Sequence, residues 1–180
     1  VAVLPPDAAF SDWDSILERD HKGEICLRLG LRQIDSIKEA DADAIMSNRG
    51  HGYRGFADFA RRTALPKRSL VVLAEADAFR GFGLDRREGL WAVRRLPDDK
   101  PLPLFAHTPD QGAEQIAPLP AMALSEHVLT DYQTIRLSLK AYPTEFLRSR
   151  LEEEGIVPCG RVGDLKDGAF VRCAGVVLVR

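Results

Sequence analysis

Residues 67–95, KRSLVVLAEADAFRGFGLDRREGLWAVRR, constrain the fold more than any other stretch of the chain. Leu70, Leu73, Ala74 and Ala78 recur at the spacing of one helical face. Gly81 and Gly83 interrupt that pattern, as turn glycines do. Leu84 and Asp85 restart it, and Asp85 with Glu88 three residues on has the form of a capping box. Leu84, Trp91 and Val93 can supply the apolar face of the second helix. The expectation is two short helices joined by a tight hairpin. A helix that starts at a bend presents unpaired backbone N–H groups, which suit a phosphate oxygen.

Charge points the same way. Residues 60–95 hold nine Lys/Arg against four Asp/Glu, about +5, whereas residues 1–48 hold five against ten, about −5. The net charge of −2 for the whole chain therefore conceals a basic patch. On charge alone, a solvated helix pair with ordinary surface arginines accounts for it as well as a polyanionic partner does.

The rest of the chain bounds the answer. At 180 residues, 45% hydrophobic and 29% charged, it can bury a core and hold one or two domains. No apolar run spans a bilayer and no signal-peptide pattern is present, so no membrane partner is indicated. Cys26, Cys159 and Cys173 are odd in number and far apart, which argues against a disulfide framework or a zinc ribbon. A reducing cytoplasm is the default location. The start at Val1 without Met, and the strand-like run at residues 171–180, suggest a fragment. That run needs partners, either residues 1–4, residues 24–29, or strands downstream.

Coarse patterning gives a short strand at residues 1–4, ended by Pro5-Pro6, and a second at 24–29 leading into a helix near Gly30. Helices are expected at 40–48, 56–62, 125–132 and 144–154, with a loop at Gly50, Gly52 and Gly55. Six prolines between Pro97 and Pro120 mark an extended linker. Within it, Leu102-Pro103-Leu104-Phe105 is an apolar cluster of the kind that marks a docking peptide. It could equally tuck onto the chain's own helices.

Four stretches carry a resemblance. Residues 73–93, LAEADAFRGFGLDRREGLWAV, look like the second helix-hairpin-helix unit of bacterial C-family DNA polymerases. The nearest branch is the error-prone one, relatives of the DNA polymerase III alpha subunit. Ser11-Asp12-Trp13-Asp14, with residues 27–34, LRLGLRQI, is similar to that family's approach to its first hairpin. Leu137-Ser138-Leu139-Lys140-Ala141-Tyr142-Pro143 is similar to its G-L-S-L-x-x-H-P segment. Residues 174–180, AGVVLVR, look like the opening strand of its OB-fold.

The resemblance implies a mainly α fold with a few short strands (α+β), a tandem helix-hairpin-helix domain with a strand-rich C-terminal edge leading toward an OB-fold. It implies the end of a fingers region at 1–28, the tandem hairpins at 29–96, the linker at 97–124, and a helical connector with the first strand of a truncated OB-fold at 125–180. Duplex DNA is the implied partner, gripped without sequence preference. Arg80, Gly81, Gly83, Arg86 and Arg87 are the implied contacts, with Lys67 and Arg68 flanking. The first hairpin, at residues 34–38, has Ser36 where the family usually has glycine, and Asp35, Glu39, Asp41 and Asp43 around it. Acids there repel phosphate, so a packing role is expected for that unit. Leu102, Leu104 and Phe105 resemble the Q-L-x-L-F type of motif that docks a sliding clamp or accessory polymerase factors, with Pro101 in the glutamine position.

No catalytic or metal-binding constellation is visible. Asp41 and Asp43 are two apart in an expected helix and point in different directions. His21, His51, His107 and His127 have no ligand spacing. In the resembling family the magnesium-binding carboxylates lie upstream, in a palm domain. Phe79 and Trp91 are expected in the core.

Overall fold

A computed structural model of the chain describes residues 1–19, 22–96 and 120–175. Leu102, Leu104 and Phe105 lie outside the described residues, as do residues 176–180 of the expected OB-fold strand.

The N-terminal strand forms as its Val/Leu content suggests: β1 (Ala2–Leu4) stops at Pro5-Pro6. β2 (Ile16–Arg19) and β3 (Ile25–Arg28) complete a three-stranded sheet of order β1-β3-β2. β1 runs parallel to β3, with Ala2 opposite Cys26, and β2 runs antiparallel, with Leu17 opposite Leu27. The sequence reading has no β2. Its four residues alternate too briefly to register, and their pairing with β3 supplies what propensity does not.

Six α-helices follow among the described residues, and the mainly α class with short strands holds. α1 (Glu39–Arg49) buries Ala42 and Ile45, three apart. α2 (Phe56–Thr63) buries Phe59 and Thr63, four apart, and ends at Ala64 in the left-handed region. α3 (Lys67–Glu75), preceded by Pro66, buries Leu70, Leu73 and Ala74. α4 (Arg86–Arg94) runs alongside it and buries Arg86, Gly89 and Val93. Each set follows the helical period, so burying one stripe fixes each helix in place. α5 (Leu124–Thr134) then packs against α3.

The centre of the core is aromatic. Phe59 and Phe79 are almost fully buried with ring centroids 5.6 Å apart, and Phe56 meets Phe79 at 5.1 Å. Edge-type contacts like these add roughly 0.5–1.5 kcal/mol each beyond area burial. Phe79 is therefore core, as expected. Trp91 is not: it is 39% exposed. Trp91 and Val93 are two residues apart, about 200° round a helix, so both cannot face one core.

The C-terminal part departs from the expected single helix at 144–154. A 3₁₀ segment, Pro143–Leu147, precedes the short α6 (Arg148–Glu153). β4 (Ile156–Val157) pairs in parallel with β5 (Arg172–Cys173). The partner of the last described strand is thus β4, neither residues 1–4 nor 24–29, which pair with each other.

Candidate nucleic-acid interface

The second hairpin turns at Asp77 rather than at a glycine. The Ala78 N–H donates to the Leu73 carbonyl (3.0 Å) and the Asp77 N–H to that of Ala74 (3.0 Å), with Asp77 at φ 59°. This is a Schellman ending with aspartate in its left-handed position, which Asp tolerates better than most residues. A 3₁₀ turn at Arg80–Phe82 follows, closed by Gly83 at φ 75°. The capping box then opens α4 as expected. Asp85 accepts from the Glu88 N–H (2.8 Å) and Glu88 accepts from that of Asp85 (2.8 Å). Two carboxylates therefore already sit at this helix N-terminus, where a phosphate was expected.

Gly81 has another use. Its N–H donates to Asp7 Oδ2 at 2.7 Å, and a Cβ there would lie 2.6 Å from Asp7 Oδ1 and 2.8 Å from Ala9 Cβ. Asp7 is buried and also accepts from the Ala9 N–H (2.8 Å). Burial raises its pKa above 3.8, while these two amides and the charges of Arg28 and Arg49 oppose the rise. The expectation that Gly81 offers its amide to DNA is corrected: the amide is spent on the N-terminal segment. Gly83 is open, with nothing within 4 Å of a Cβ position.

The arginines divide. Arg86 is only 2% exposed, so its expected role as a phosphate contact is also corrected. Its guanidinium donates to the Glu75 carbonyl (2.8 Å), to buried Asp131 and to the His127 ring (3.1 Å). Asp131 in turn takes Lys140 Nζ at 3.0 Å on both oxygens and the Ser138 hydroxyl at 2.8 Å. Lys140 also reaches Asp77 (3.2 Å), whose other oxygen takes Arg80 Nε at 2.9 Å. Arg80 and Arg87 remain part-exposed, Arg87 with the Pro120 carbonyl (2.7 Å) and Glu126 (3.1 Å). Lys67 Nζ caps the end of α4, at 3.4 Å from the Arg94 carbonyl and 3.2 Å from that of Leu96. Arg68 is exposed and has no side-chain partner among the described residues.

The first hairpin packs. Ser36 takes φ 68°, the conformation that glycine favours. The Asp35 N–H donates to the Thr134 carbonyl (2.7 Å) and its carboxylate pairs with Arg136, fastening this turn to the end of α5. Asp41 accepts from the Ser69 hydroxyl (2.8 Å), and no metal-ligand cluster exists among the described residues. Sequence reasoning missed Asp131 and Lys140. The first had a signal: Val128, Asp131 and Ile135 share one helical spacing, which places an acid on an apolar stripe.

Comparison with known proteins agrees with this architecture. Residues 1–89 match the family described as "Helix-hairpin-helix motif". The chain is 50% identical to the error-prone DNA polymerase of Rhodopseudomonas palustris and 47% identical to that of Brucella abortus, over 100% of its own length and 17% of each relative. It is 61% identical to that of a Bradyrhizobium species over 71% of the chain and 11% of the relative. The chain thus spans about a sixth of the length of the relatives it matches end to end. On that full-length similarity, with the helix-hairpin-helix geometry just described, the chain is a homologue of one segment of the error-prone DNA polymerases.

Proposed function

We propose that this segment grips duplex DNA, without sequence preference, through its second helix-hairpin-helix unit. The supporting observation is the charge of about +5 on residues 60–95, held on a helix pair of a DNA polymerase family. Arg68 and the part-exposed Arg80 and Arg87 face solvent there, whereas Arg86 holds the unit together from inside. Phosphate contacts of this kind fix position on a duplex and carry no sequence information. Unrelated duplexes should bind the chain equally at low salt, with affinity falling as salt rises. Absence of binding at low salt would count against the reading.

In the same proposal, the chain works within a cytoplasmic DNA-directed polymerase that copies damaged templates, where it holds the duplex behind the active site. Magnesium would belong to carboxylates elsewhere in that enzyme. The described residues offer no cluster of ligands for it, and nothing here is routed through it.

A second reading rests on the apolar cluster Leu102, Leu104 and Phe105, which would dock a sliding clamp or accessory factor. Changing Leu104 and Phe105 to Ala separates the two: clamp binding is lost and DNA binding is retained. Loss of DNA binding instead would argue for a cis packing role.

A further inference from the structure

The charges at the hairpin tip are committed, and the uncommitted ones lie elsewhere. We propose that the duplex meets the outer face of α4 and the end of the α3–α4 pair where Lys67 reaches the last carbonyls of α4, through Arg68, Arg87, Trp91, Arg94 and Arg95. This rests on the DNA-backbone reading above and moves its contact away from the hairpin tip.

Helical spacing assembles the face. Arg87, Trp91 and Arg95 stand four apart on α4 and its C-cap, with Arg94 beside them, opposite the buried stripe of Arg86, Gly89 and Val93. Lys67 Nζ on the Arg94 and Leu96 carbonyls brings the start of α3 to the end of α4, so exposed Arg68 joins the same end. Arg68, Arg94 and Arg95 are exposed, and their side chains have no carboxylate, carbonyl or ring partner among the described residues. By contrast, Arg80 is held by Asp77 and Arg86 by Asp131, while Arg87, paired with the exposed Glu126 and the Pro120 carbonyl, joins the face as a part-exposed member.

The simpler explanation is that cations at the end of α4 complement its dipole. Lys67 does this directly, by bonding the terminal carbonyls. The guanidinium groups of Arg94 and Arg95 reach no carbonyl among the described residues, so that explanation leaves them over. Glu88 is the single acid within α4, and it is folded back into the capping box. Trp91 adds an independent sign, an indole 39% exposed with arginines one turn away on both sides. A cationic stripe interrupted by a flat apolar ring suits a ligand that alternates phosphate with sugar. That ligand is the nucleic-acid backbone.

The test uses the whole 180-residue chain. A fluorescently labelled duplex is titrated over a salt series with wild type, with the triple variant Arg68→Gln/Arg94→Gln/Arg95→Gln, with Trp91→Ala, and with Arg80→Gln. Arg61→Gln, which removes one exposed charge from α2, shows what a single cation outside the face contributes through net charge. The triple variant should lose at least about tenfold in affinity at low salt, and its salt slope should fall by roughly 0.9 for each contact removed. Trp91→Ala should weaken binding with the slope unchanged. Melting of the triple variant should match wild type, since these exposed side chains make no hydrogen bond or ion pair among the described residues. A wild-type slope in the triple variant, or a larger loss in Arg80→Gln, overturns the placement. If wild type binds no duplex, the DNA reading and this placement fail together.

Discussion

Arg86 shows how the meaning of one side chain is set by what surrounds it. In sequence it is one of two adjacent arginines at a helix start, an apt phosphate ligand. In the fold it is 2% exposed and saturated by the Glu75 carbonyl, Asp131 and His127. Replacing it with Met removes the guanidinium while keeping much of the volume, and strands part of a buried carboxylate. Breaking a buried ion pair costs roughly 3–5 kcal/mol. The low end, about 3 kcal/mol, is expected here, because Lys140 still holds both Asp131 oxygens at 3.0 Å. Urea unfolding would read that loss, and an unchanged midpoint would contradict the structural role. Gly81 is the second such residue. Gly81→Ala drives a methyl group to 2.6 Å from a carboxylate oxygen of Asp7 and 2.8 Å from Ala9. A cost of about 1–3 kcal/mol is expected, and pairing it with Asp7→Ala should recover part of it if that contact is the cause.

Between elements, the joint of α4 with α5 carries a pH dependence. Arg86 only donates, so His127 Nδ1 must accept from it and is bare of a proton. Burial, and then the charge of Arg86, lower the His127 pKa below 6.5; Asp77 opposes this, and Lys140 and Arg80 add to it. The folded value is depressed, so the unfolded chain binds more protons as pH falls. Stability present above 6.5 is therefore lost as pH falls toward the folded pKa. Urea midpoints should drop between about pH 7.5 and about pH 5.5, and His127→Gln should flatten that slope. An equally steep slope in the variant would place the titration elsewhere. The elements that meet here were legible to different degrees. α3 and α4 announced themselves through Leu70, Leu73, Ala74 and Val93 and through the Asp85–Glu88 box, all of them local signals. The turn between them did not. Asp77 stands at φ 59° in the Schellman ending, with its carboxylate held by Arg80 and by Lys140, which lies far along the sequence. Gly81 was noticed as a glycine but misread, since the atom that demands its smallness belongs to Asp7. Local pattern reveals helices; only tertiary partners decide whether a charge faces water.

Across the whole molecule, one ionic and polar seam joins the chain before residue 97 to the chain after residue 119. Arg86 meets Asp131, Lys140 bridges Asp77 and Asp131, Arg87 meets Glu126 and the Pro120 carbonyl, and the first hairpin gives the Asp35 N–H to Thr134. Ile135 packs into the hydrophobic core beside the same seam, and Val128 is buried on the same helix face. The two hairpins therefore depend on α5 and the segment behind it, and the fold does not divide at the proline-rich stretch. Expressed as two polypeptides, residues 1–96 and 120–180 should associate and co-purify, since the joining residues supply none of these contacts. Asp131 is the position to challenge, because it answers Arg86, Lys140 and Ser138 together. Asp131→Ala leaves a buried guanidinium without its acid, at a cost of roughly 3–5 kcal/mol. At about 1.4 kcal/mol per tenfold, association should weaken by roughly two to four orders of magnitude. Co-elution of the Asp131→Ala pair at wild-type strength would show that apolar contact alone carries the seam. Loss of association would mean that the same acid which withdraws Arg86 from any DNA contact also fixes the orientation of α4, and with it the direction in which Arg87, Trp91, Arg94 and Arg95 face.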